Sequence, residues 1–169
     1  NQGKDNLEIT NLLSLGNGKI LITLPIAQTT FCDAFTFDGE EWNKIFENEY
    51  IKSLRLSEGK LIKIAYRSLN IYDVNNLVNG GEIYHLSDEW NPVHGIHLDI
   101  NDAIIDSQDL WLAHQTKGLI RLKDYRNGTH NKSEHFPDGP KSNHIYSITA
   151  SEDGKIYRSE ERRVGKECE

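Results

Sequence analysis

Cysteine is scarce in this chain, and its scarcity removes the usual staple of a small β-rich protein. Only Cys32 and Cys168 occur in 169 residues, too few for a framework of disulfides. No apolar run approaches the roughly 20 residues that carry a helix across a bilayer. No basic, apolar, small-residue leader opens the sequence, which starts at Asn1 rather than at methionine. It therefore reads as a mature or truncated segment, with no signal peptide to name its compartment. A basic patch is missing as well: the net charge is −7, and a nucleic-acid surface needs clustered lysine and arginine to neutralise phosphates. Helical periodicity is also absent, because glycine, asparagine and β-branched residues interrupt each candidate window.

What the chain does contain is short aliphatic and aromatic runs punctuated by Asn-Gly, Asp-Gly and Glu-Gly pairs, in a sequence 37% hydrophobic and 27% charged with 13 glycines. That pattern reads as strands joined by tight turns. Four stretches repeat it in the same register: Leu12 to Ile22, Ser53 to Lys63, Asp102 to Leu112 and Tyr146 to Tyr157. The first apolar residues after the four turns, Ile20, Leu61, Leu110 and Ile156, are separated by 41, 49 and 46 positions. A period of that size matches one blade of a β-propeller, a unit that exposes an apolar face and must stack on its neighbours to bury it.

The expected fold class is therefore all-β, a β-propeller fragment of about three blades of four antiparallel strands with the start of a fourth. The blades are placed at about 7–46, 50–94, 98–137 and an incomplete 142–157. Alternation places Leu13 and Leu15, and Leu54 and Leu56, against a neighbouring blade. Gly18, Gly59 and Gly154 are expected to take the positive φ that two-residue turns demand. In the second blade the outer strand is placed at Glu89 to Val93 in preference to Glu82 to Leu86. The reason is that Trp90, like Trp42 and Phe136, stands 19 or 20 residues before the next anchor. Arg158 to Glu169 has eight charged residues in twelve and no alternation; it reads as a non-native tail that packs on nothing, whose removal should cost no more than about 0.5 kcal/mol.

Residues with chemical potential are few. His94 and His97 stand three apart, but no further ligand follows at metal-site spacing. Asp99, Asn101 and Asp102 look like the start of a calcium loop without its glycine or closing glutamate. Asp106 and Asp109 read as turn formers. Asn127 and Asn131 open glycosylation patterns, which indicate an exposed loop. Trp42, Trp90 and Trp111 suit the core better than sugar stacking. Propeller geometry gathers ligand contacts on the loops of one face, which here include Arg67, Ser68, His114, Gln115, Lys117 and Lys141. Arg67, His114, Lys117 and Lys141 are the candidate ligand-binding residues. No metal, cofactor or catalytic residue is expected, since no pair of titratable groups converges to set an acid against a base.

The run Asp109 to Leu122, followed by Phe136 to Tyr157, resembles the two-component regulator propeller repeat. Gly139, Pro140, Ser142 and Asn143 match its turn into the inner strand, Ile145 and Ile148 that strand, Asp153 and Gly154 the acidic-Gly turn, and Trp111, Gly118 and Leu119 its second and third strands. Ala113-His114 stands where the repeat has Gly-Thr, Tyr157 where it has Trp, and the first two blades lack the Pro-Ser-Asn signature. The Gly-Pro form of the signature is most similar to the N-terminal propeller of PorZ-type proteins of the type IX secretion system. The resemblance implies a non-catalytic binding and scaffold propeller outside the cytoplasm, at the cell surface or outer membrane or in the periplasm. Its implied partners are anionic lipopolysaccharide or oligosaccharide, or other secretion-complex proteins, with the rest of its own propeller needed for closure. The alternative it implies is the periplasmic oligosaccharide-sensing propeller of a hybrid two-component histidine kinase.

Overall fold

The turns show how the chain folds locally. At Asn17-Gly18 and at Glu58-Gly59 both turn residues take positive φ, 51° and 75° in the first, 47° and 69° in the second. That backbone twists with the flanking strands rather than against them, and glycine at the second position carries no Cβ penalty. Gly16 pairs with Lys19 across one turn and Ser57 with Lys60 across the other. The third hairpin turns at Ser107, φ 59°, with Asp106 paired to Asp109.

A computed structural model describes residues 8–26, 29–65, 68–77, 82–85, 100–115, 118–127, 131–135, 145–151, 153 and 155–160. Among them the strands are β1 (Asn11–Gly16), β2 (Lys19–Pro25), β3 (Phe31–Phe37), β4 (Trp42–Tyr50), β5 (Ser53–Ser57), β6 (Lys60–Ile64), β7 (Ser68–Asp73) and β8 (Glu82–His85). They continue as β9 (Ile100–Asp106), β10 (Asp109–His114), β11 (Gly118–Lys123), β12 (Asn131–His135), β13 (Ile145–Ala150) and β14 (Ile156–Glu160), with one 3-10 turn at Tyr125–Asn127. Each sheet is an antiparallel meander: β1 to β4, β5 to β8, β9 to β12, and the pair β13 and β14. This is the four-stranded blade that the repeat predicts.

The chain divides into two compact units, Asn1–Leu86 and Ser87–Glu169. In the first, the sheets β1 to β4 and β5 to β8 share a core of Leu15, Leu21, Cys32, Ala34 and Phe46 on one side and Leu54, Leu61 and Tyr72 on the other, with Leu13 and Leu56 packed against it. The inner-strand leucines thus meet across the junction, as their alternation requires. In the second unit, Ile104 and Ala113 of one sheet pack on Ile145 and Ile148 of β13, with Trp111, Leu119 and Ile156 against them.

Two placements differ from the sequence reading. The fourth strand of the second sheet is Glu82–His85, paired with β7 from Ser68↔His85 to Ile71↔Glu82, whereas Glu89 to Val93 lies outside the described residues. The shorter connection from Asp73 closes at a smaller entropic cost, and the aromatic spacing that favoured Trp90 did not account for it. Nor does the pairing stop at Tyr157: β14 runs on to Glu160, pairing Ile148↔Arg158, Ser147↔Ser159 and Ile145↔Glu160. A ladder needs backbone amides and carbonyls rather than apolar alternation, so three charged or polar residues extend it.

Ending the chain at Tyr157 removes those three pairs. At roughly 0.5–1.5 kcal/mol net for a hydrogen bond and about one bond per pair, the truncated protein should lose about 1.5–4.5 kcal/mol rather than the half kilocalorie expected of a free tail. Urea unfolding of the full and truncated chains measures the difference, and coincident midpoints would show that β14 contributes nothing beyond Tyr157.

Candidate functional site

Of the candidate ligand-binding residues, Arg67, Lys117 and Lys141 lie outside the described residues. His114 ends β10, paired with Ile100 and Gly118. It is 2% exposed, so it offers a ligand no surface there, contrary to its reading as a loop residue. The register of β9 and β10 slips at this point. Gln115, just beyond, is exposed, and Ser68 opens β7. Gly118 begins β11 with φ 80°, the conformation that makes glycine useful at that position of the repeat. Trp111 packs at the junction with β13. Gly139, Pro140, Ser142, Asn143, Gly154, His94, His97 and Asp99 lie outside the described residues. Trp42 is not a core residue: it is 52% exposed and rests on Phe37 at 4.8 Å between ring centroids. Asn131 lies in β12 rather than in a loop. Among the described residues no group of three or more His, Cys, Asp or Glu could hold a metal ion.

The chemistry that the structure does assemble sits between sheets. In the first unit Lys63 projects from β6 into the core, 3% exposed. Its ammonium lies 4.3 Å from the Phe46 ring centroid and 5.5 Å from that of Tyr72, and it pairs with the Glu49 carboxylate of β4. Burying an ammonium is costly unless a counter-charge and polarisable faces replace its water, and both are supplied. Sequence reasoning took Lys63 only as the end of a repeat. Its register with Leu54, on a core-facing position, was the signal.

In the second unit Asn101 and Asp102 take the corresponding part. The register between β9 and β10 moves from Asp102↔Ala113 to Ile100↔His114, leaving Asn101 as the extra residue of a bulge. A bulge re-aims side chains that would otherwise alternate, and here both reach β13. Asn101 Nδ2 donates to the Ile145 carbonyl at 2.8 Å, and Asp102 Oδ2 accepts from the Ile148 amide at 3.0 Å. Asp102 is 4% exposed, and its other oxygen accepts from the Ala103 amide at 3.0 Å. The partial calcium pattern is thus the bracket that joins two sheets. Nearby, Asp109 accepts from Arg121 Nε at 2.6 Å and from the Asp124 amide at 3.1 Å, while the Arg121 guanidinium lies 5.3 Å from the Trp111 ring. The turn-forming role read for Asp109 is therefore joined to an ion pair.

Several carboxylates are held below the ordinary aspartate range. The Asn48 amide and then Lys44 lower Asp33; the Glu41 and Glu40 amides lower Asp38. The Asn75 amide and Lys60 lower Asp73, and Lys155 with Ser151 lowers Asp153. At Asp109 burial pushes upward, but Arg121 and the Asp124 amide outweigh it and the net shift is downward.

No protein-family model matches the sequence, and no curated protein matches it. Solved structures do. PorZ, a surface component of the type IX secretion system of Porphyromonas gingivalis, superposes with a TM-score of 0.63 at 14% identity over 89% of this chain and 24% of its own. The extracellular domain of the hybrid two-component system BT4673 from B. thetaiotaomicron gives 0.57 at 18% identity over 92% of this chain and 19% of its own. The WD40 β-propeller domain of Doa1 gives 0.54 at 12% identity, over 90% and 48%. The chain is built of β-propeller blades. The first two structures are of the kinds that the repeat resembles, and this chain spans about a quarter of one and a fifth of the other.

The propeller blades should be sensitive to the bracket between them. Asp102→Ala leaves the Ile148 amide buried beside a methyl group and is expected to cost about 1–3 kcal/mol; a variant that unfolds at the same urea concentration as the parent would remove Asp102 from the junction. The lowered aspartates set an acid limit. Their contribution is complete above the unfolded aspartate value and is lost as pH falls through the lower folded values, so melting temperature should drop below about pH 4. Thermal melts from neutral pH into acid test this, and a flat profile through that window would contradict the assigned contacts.

Proposed function

We propose that this chain is part of a non-catalytic binding and scaffold propeller of an extracytoplasmic bacterial protein, PorZ-like, that serves type IX secretion and cell-surface attachment. The observation that carries this reading is the superposition on PorZ over 89% of the chain, together with the Gly-Pro form of the repeat signature. The site chemistry supports it. Lys63, Asn101, Asp102 and Arg121 make contacts that join strands or sheets, and blades that devote such groups to junctions leave recognition to loops. Arg67, Lys117 and Lys141, three basic residues in a chain of net charge −7 that the sequence reading assigns to loops, are the landing place proposed for an anionic lipopolysaccharide or oligosaccharide.

A second reading, an oligosaccharide-sensing propeller of a hybrid two-component histidine kinase, is favoured by the likeness to the BT4673 extracellular domain, which has the higher identity and coverage of the two. Titration calorimetry separates the readings. Salt-sensitive binding of anionic lipopolysaccharide, weakened about tenfold by the combined R67E, K117E and K141E substitutions, a loss of about 1.4 kcal/mol, is the expected result. Binding confined to neutral oligosaccharides would transfer the assignment to the sensor, and turnover of either ligand would end both.

A further inference from the structure

We draw no further inference here: the strongest candidate, the partly exposed face of the β1 to β4 sheet around Leu12, Phe35, Phe37 and Trp42, is the side that a neighbouring blade of the same propeller covers, and nothing among the described residues shows any other occupant.

Discussion

An interior strand of an antiparallel meander satisfies its backbone within its own sheet, and only edge strands keep main-chain groups to spare, so no backbone ladder runs from one sheet to the next. Each junction then needs a side chain on at least one side. In the second unit that requirement converges on the Asp102 carboxylate, which accepts the Ile148 amide from the neighbouring sheet while Asn101 donates to Ile145. Ile145 and Ile148 can pack against Ile104 and Ala113 only while those two contacts hold β13 in place. Burial supplies most of the energy and is indifferent to sliding; the directed hydrogen bonds supply the register.

The sequence showed its hairpins plainly because a two-residue turn with positive φ imposes narrow residue choices, and Asn17-Gly18 and Glu58-Gly59 meet them. Period-two leucines made the first junction legible for the same reason. Outer strands were harder to read. For the second sheet aromatic spacing was the guide, and it pointed to Glu89 to Val93 instead of Glu82–His85. The end of β14 was missed because backbone pairing leaves no mark on residue type when the side chains are polar. The junction groups were the least legible of all. Lys63 looks like an ordinary surface lysine until its ladder partner is known, and Asn101 reaches β13 only through a bulge that no residue in the sequence announces.

A quieter regularity runs through the ends of the second and third strands. Lys19 and Lys60 stand one residue before the anchors Ile20 and Leu61, while Asp38 and Asp73 follow the residues paired with those anchors. In the third sheet the signs exchange: Asp109 precedes Leu110 and Lys123 follows its partner Leu122. Opposite charges facing each other across a strand pair attract whichever strand carries which sign, so the copies have kept the attraction while exchanging its parts.

Lys63 in its aromatic setting and the Asn101-Asp102 bracket do the same work with unrelated chemistry, and that difference makes the blades non-interchangeable parts. A duplicated or transplanted blade would carry its leucine face to a new neighbour but not the matching half of its fastening. The repeat supplies a common shape, while the fastenings fix the order in which the copies join, much as keyed connectors admit one assembly sequence from parts of the same outline.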